Sequence, residues 1–375
     1  MPQKGRGILL SMSTTETNRT PAPRRATIAD VARAAGVSGS TASVVFSGKT
    51  KVSDATRQRV LDAAAELGYA GPDPRAASLR TGRSGIVAVV LEEHLRTAFL
   101  DPVKTATMDG LTDALATLGS GVLLLRHDPG GENPVTLDTA PVDAVVLLSC
   151  TPRTYESLDV IRARGLPVVV IEGDGGADAA HVELDSDEAS AQLNTHLRDL
   201  GHEDVAIVTL PFGLDLERGF VTEEQIARIR VEITARRLRD VRQAFPDAQV
   251  VQSEGSFIDE GVLAGRLLLD VPEDGPRRRP TAIIAQSDLL AAGVVRAAEE
   301  LGLRVPEDVS VTGFDGVEVD GLGGHVLTTV VQPSAEKGRA AGAAVARMLR
   351  GEPASSQLLN CTFRIGTTTG PAARS

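Results

Sequence analysis

Hydroxyl groups crowd the stretch GVSGSTASVVFSG at positions 36–48, where Ser38, Ser40, Thr41, Ser43 and Ser47 fall close together. The stretch has the frame of a DNA-reading helix: a glycine turn, a serine able to cap, then apolar positions at helical spacing. It contains no Arg, Lys, Asn or Gln, the side chains that usually read base edges. What it offers instead is hydroxyl and methyl chemistry. Other reactive residue types are scattered along the chain. The six histidines form no HExxH, and HLRDLGH sets His196 and His202 six residues apart, on different faces of a helix. No GxSxG, P-loop or strand-borne GxGxxG occurs, so the chain offers no catalytic motif. Cys150 and Cys361 lie far apart in sequence and read as small apolar residues of a reducing compartment.

The elements that must position these residues follow from pattern. Thr27 can cap a helix whose apolar residues Ile28, Val31, Ala32 and Ala35 share one face, and Gly36 ends it. Ser38 caps a second helix running to Ser47 and Ser53 a third, closed by Gly68. Residues 24–83 hold ten Lys/Arg against five Asp/Glu, whereas residues 84–375 hold 26 against 44. A small basic head on a large acidic body is the footprint of a protein that touches nucleic acid at one end. The Ser-, Thr- and Pro-rich residues 1–24 are expected to be disordered, 25–71 to form the head, and 72–84 a linker with a latent helix.

From Ile86 the grammar changes to short apolar runs alternating with helical stretches. Strands are expected at 86–91, 121–125, 143–148, 167–171, 205–210, 248–253, 281–286 and 308–313. Unbroken apolar strands between helices imply parallel sheets covered on both faces. Eight of them predict two Rossmann-like, doubly wound subdomains with a small-ligand cleft at the strand C-terminal ends. The expected division is 85–183 with 312–332, and 184–311 with 333–375. Residues 213–245, rich in Arg and Glu, read as one long charged helix after a loop. No apolar run reaches membrane-spanning length, and the chain is expected in the cytoplasm.

TIADVARAAGVS, VSDATRQRVLDAAAELGY and RAASLRTG, in that order, together with PTAIIAQSDLLAAGVVRAAEELGLRVPEDVSVTGFDG and LTTVVQP, resemble the lactose-repressor family of bacterial transcriptional regulators over roughly residues 25–370. The resemblance implies a helix-turn-helix head, a body of the periplasmic-binding-protein type, and a homodimer or tetramer. It further implies a palindromic double-stranded operator, a carbohydrate or similar metabolite as effector, repression as the output, and neither catalysis nor a cofactor. Gly39, Ser40 and Val44 stand at the family's base-reading positions, the last usually Arg. Thr41 and Ser43 match family positions that bind phosphate and would fix register, and Thr27 and Ser38 fall on the same DNA-binding surface. Ser40 can donate to or accept from a base edge and Val44 can touch a thymine methyl. Ala42, Val45 and Phe46 are expected in the head's own core. Leu79 matches the apolar wedge of the hinge helix, and Arg75, Arg80 and Arg83 would add phosphate contacts.

For the effector cleft, Arg237 resembles a ligand-clamping arginine and Asp315, in GFDG, a carboxylate that accepts ligand hydroxyls. Ser287 stands where Asn is usual, Phe257 near a stacking aromatic, Phe99 beside the opening, and Glu172 after its strand as a further polar contact. Two other classes share the two-lobed fold. An enzyme would need a catalytic motif, and a secreted solute-binding protein would need a signal peptide and would not carry the basic head.

Overall fold

The protein is represented by a computed structural model that describes residues 25–47, 51–71, 78, 82–91, 94–126, 135–148, 154–213, 217–272, 277–320 and 322–373. It comprises two units, residues 1–82 and 83–375.

Among its described residues the head has the helices α1 (Ile28–Ala34), α2 (Gly39–Ser47) and α3 (Asp54–Glu66). Thr27 opens α1 with a capping box. Its hydroxyl accepts from the Asp30 N–H, while Asp30 accepts from the Thr27 N–H at 3.0 Å. Gly36 turns the chain with φ +65° between α1 and α2. Val31, Ala42 and Val60, one from each helix, are fully buried, and Phe46 packs edge-on against Tyr69 with ring centroids 5.3 Å apart. The expected inward face of α2 is therefore present: Ala42 and Val45 are in the core and Phe46 lies against it.

Among its described residues the body holds two sheets. The first has strand order β12-β5-β4-β3-β1-β2, all parallel, from β1 (Ile86–Leu91), β2 (Gly121–Arg126), β3 (Ala144–Leu148), β4 (Val168–Ile171), β5 (Ala180–Asp185) and β12 (Gln357–Asn360). The second has order β13-β11-β10-β9-β6-β8-β7, from β6 (Val205–Thr209), β7 (Gly219–Phe220), β8 (Gln249–Gln252), β9 (Ala282–Ala285), β10 (Ser310–Asp315), β11 (Thr328–Val331) and β13 (Thr362–Arg364), with β7 and β13 antiparallel to their neighbours. Central strands such as β3, β4 and β6 are buried along their whole length, which is why they read as unbroken apolar runs.

Three expectations are corrected. Residues 312–332 do not join the first subdomain, because β10 pairs with β9 and β11 inside the second sheet. The chain instead crosses after β5, returns after β11, and crosses again after β12. That return places α12 (Ser334–Leu349) against the first sheet and α5 (Pro102–Ala116), not in the second subdomain. Finally, the charged run 213–245 is not one helix: it contains β7, a short α8 (Glu223–Ile226) started by the Thr222 capping box, and α9 (Glu232–Ala244). Arg and Glu spaced along a surface carry no break signal of their own; Gly219 and Thr222 supply it.

Close helix crossings hold both lobes. On α5, a Cβ at Gly110 would lie 1.9 Å from the Ala335 carbonyl oxygen, and on α12 a Cβ at Gly338 would lie 1.9 Å from that of Thr107. The same device joins α10 (Ile258–Leu269) to α11 (Asp288–Glu300), where a Cβ at Gly293 would lie 2.1 Å from the Ile258 oxygen. Glycine is required there by backbone contact, not by dihedral freedom.

Candidate DNA-binding face and effector cleft

On the head, Ser38 caps α2. Its hydroxyl accepts from the Thr41 N–H at 3.1 Å and lies 2.8 Å from both the Ser40 and Thr41 hydroxyls. Gly39 and Ser40 are exposed and Ser43 and Val44 half-buried, all away from the Ala42–Val45 core stripe. Thr27 is engaged in the α1 cap described above. Arg75, Leu79 and Arg80 lie outside the described residues. Arg83, counted with them in the sequence, donates to the Leu349 carbonyl of the body.

In the body, a cavity of about 560 Å³ opens between the two sheets. It is ringed by residues at strand C-terminal ends: Leu148 at the end of β3, Glu172 after β4, Leu210 after β6, Ser287 after β9, Asp315 at the end of β10, and Gln332 after β11. A chain of polar contacts crosses its floor. Lys337, on α12 and only 1% exposed, donates to the Glu172 carboxylate and to the Gln332 side-chain oxygen, and Gln332 Nε2 donates to Asp315 Oδ1 at 2.6 Å. This chain joins the end of a strand in the first sheet to the end of a strand in the second. Its two terminal residues are the only described non-glycine residues with positive φ, +56° at Glu172 and +126° at Asp315. Such backbone costs on the order of 1–3 kcal/mol each and persists where surrounding contacts enforce it.

Arg237, on α9, is buried. Its guanidinium carbon sits 3.3 Å from the Phe314 ring centroid and Nη1 donates to the Gln286 carbonyl at 2.6 Å. Burial pushes its pKa down, while Asp315 and Glu172 pull it back up; a guanidinium remains charged regardless. Burial also works against the charge on Glu172, but Lys337 and Arg237 more than offset it and hold the carboxyl below its ordinary value. Asp315 behaves oppositely. Burial pushes it up to about 8, Arg237 opposing and Asp288 reinforcing the rise. The floor thus sets one carboxyl held below its ordinary value against one pushed above it.

A carboxyl raised in the folded state contributes stability that is fully present below its ordinary pKa and is lost as pH rises through about 8. Between about pH 6 and about pH 9 the body's melting temperature is therefore expected to fall more steeply in the parent chain than in Asp315→Asn. Parallel slopes in a thermal melt series would contradict this assignment.

Of the other expected cleft residues, Ser287 lines the cavity but spends its hydroxyl on structure: it caps α11, accepting from the Leu290 N–H at 3.2 Å and from Ser256 Oγ at 2.8 Å. Phe257 stands on the wall, 37% exposed. Phe99 does not belong to the lining. On α4 (Leu95–Leu100) it is 53% exposed, whereas Thr97 and Asp101, one turn apart, face the cavity. Sequence reading missed Lys337 and Gln332, although Gln332 ends the quoted motif LTTVVQP. It also missed Asp288, whose buried carboxylate accepts from Thr329 Oγ1 at 2.6 Å and from the Val317 N–H at 2.9 Å, fixing the turn that follows Asp315. Among the described residues no group of His, Cys, Asp and Glu could hold a metal ion, and no helix is long and apolar enough to cross a membrane.

Residues 27–71 match the family model for bacterial regulatory proteins of the lacI family, and residues 195–369 that for the periplasmic binding protein-like domain. An HTH-type transcriptional regulator of Mycolicibacterium smegmatis is 32% identical over 373 residues, covering 94% of this chain and 98% of that protein. The chain belongs to the LacI family of transcriptional regulators. Among solved structures, the transcriptional regulator CelR–cellobiose complex is 26% identical, covers 92% of this chain and all of that one, and superposes with a TM-score of 0.61. The lac repressor dimer bound to operator and an anti-inducer, 22% identical with a TM-score of 0.71 over 92% of this chain, shows the same fold. For this LacI-family regulator, DNA binding resides in the head and the two-sheet body is of the periplasmic-binding-protein type.

Proposed function

We propose that this regulator is a repressor that binds a palindromic operator as a homodimer and is controlled by a polyhydroxylated small molecule, of carbohydrate type, in the interlobe cavity. The observation that carries the reading is the polar floor from Glu172 through Lys337 and Gln332 to Asp315, with Arg237 beside it, at the end of a cavity of ligand size. Phe257 is the single aromatic side chain in the described lining, so such a ligand is held by hydrogen bonds more than by stacking. The cellobiose bound by CelR supports the ligand class. Leu79 serves as the hinge wedge and Arg75 and Arg80 as phosphate contacts, and a ligand that prefers one lobe arrangement shifts operator affinity about 5- to 150-fold.

The test is a gel shift with fragments from the gene's own neighbourhood over a salt series, after a thermal-shift screen of sugars, nucleobases and amino acids has found a stabilising compound. One fragment is expected to form a competition-resistant complex that the compound changes. Arg237→Ala and Asp315→Ala are expected to abolish that change while operator binding persists. Equal binding of all fragments would defeat the regulator reading, and an intact response in both variants would defeat the placement of the effector.

A further inference from the structure

The outward side of α2 carries no charged and no amide side chain. Gly39, Ser40, Ser43, Val44 and Ser47 form one stripe at i, i+1, i+4, i+5 and i+8, opposite the buried Ala42 and Val45. In a helix-turn-helix the second helix lies in the major groove, with its N-terminal residues on base edges. Guanine presents two acceptors there, N7 and O6, which Arg or Lys engages with paired donors. This helix has no such donor.

What it does have is directional. Ser38 Oγ already accepts from the Thr41 N–H and lies 2.8 Å from Ser40 Oγ. When the Ser40 hydroxyl donates inward to Ser38, its free lone pairs face outward and accept an amino hydrogen. Val44, four residues on and one turn along the same face, presents two methyl groups. An amino donor and a methyl group occur together on the major-groove edge of one base pair only: adenine N6 and the thymine C5-methyl of A·T. A G·C pair has the donor, on cytosine, without the methyl.

We infer that this regulator reads its half-sites through A·T pairs, Ser40 accepting from the adenine amino group and Val44 packing on the thymine methyl, in place of an arginine–guanine contact. This rests on the operator-binding reading above and specifies its chemistry. Affinity then comes from phosphate contacts, and selectivity from groups that carry no charge.

The test begins with selection of duplexes from a randomised library by the full-length protein. The selected duplex is resynthesised with uracil for thymine at single positions, which removes the C5-methyl and nothing else, and binding is followed by fluorescence anisotropy. At one position in each half-site, uracil is expected to weaken binding about fourfold, and about 15-fold when both half-sites are changed, the effect of one buried methyl each. Val44→Ala should bind the thymine duplex correspondingly less well and no longer distinguish it from the uracil duplex. Uracil-insensitive binding, or a Val44→Ala protein that still distinguishes the two, overturns the inference and leaves the regulator reading standing. A selected half-site whose binding fails on replacing guanine by 7-deazaguanine overturns it equally. A library that yields no enriched sequence overturns both.

Discussion

Lys337→Met is expected to cost the body about 3 kcal/mol, the lower end of the range for breaking a buried ion pair, because the Glu172 carboxylate keeps some exposure to the cleft. For a body of this size that corresponds to a fall of about 5 °C in the melting midpoint. Methionine keeps the length of the lysine stem but leaves Glu172 and Gln332 facing each other without a donor. The double variant Lys337→Met with Glu172→Gln should recover half the loss or more, since removing both charges is far milder than orphaning one. Thermal melts of the three proteins decide it. A single variant that melts with the parent would show that the pair contributes no stability.

Gly338→Val is expected to do more damage still. The three atoms nearest to any Cβ at this position are all backbone, the Thr107 oxygen at 1.9 Å, the Leu111 nitrogen at 2.6 Å and the Thr107 carbon at 2.9 Å. No rotamer can relieve that collision, so α5 and α12 must separate. Behind the crossing lie Leu111, Leu115, Ala341 and Val345, all fully buried, and separation opens gaps among them. Overpacking of this kind costs about 1–3 kcal/mol where side chains can yield; here a loss of about 3 kcal/mol or more and poor soluble yield are expected. Gly121→Ala, where an added Cβ meets nothing within 4 Å, is the control and should stay within about 0.5 kcal/mol of the parent. Equal behaviour of the two variants in chemical denaturation would refute the contact argument.

The head was legible because its signals are local. Thr27, Ser38 and Ser53 are caps, Gly36 and Gly68 are turns, and each acts within one helical turn of its own position. The apolar strands were legible because burial on both faces leaves β3 and β4 without a polar residue and β6 with Thr209 alone, at its end. β5, AHVELD, was missed because one of its faces is half-exposed and its apolar residues alternate with His181 and Glu183. The lobe boundaries were misread for a different reason: which sheet a strand joins is decided by pairing partners far away in sequence, as β12 is by β5. In the cleft, Arg237 and Asp315 were found through family motifs, but Lys337 was not. In EKGRAAGAAV nothing distinguishes it from the exposed Glu336 beside it; only the packing of α12 against β4 turns it inward. Asp288 was hidden in the same way, as a first-turn helix acid that is in fact fully buried.

The three crossings between lobes have a mechanical consequence. Two of them are adjacent, because β5 and β12 run in register to Asp185 and Asn360, and the Cys361 N–H then donates to the Asp185 carbonyl at 2.8 Å as both strands leave the first sheet. Those two strands are pinned together and behave as one pivot; the segment from Gln332 to Ser334 supplies the second. A joint fixed at two pivots keeps one easy degree of freedom, rotation about the line through them, and resists sliding. Rotation about that line is the one motion of the cleft that leaves both pivots intact.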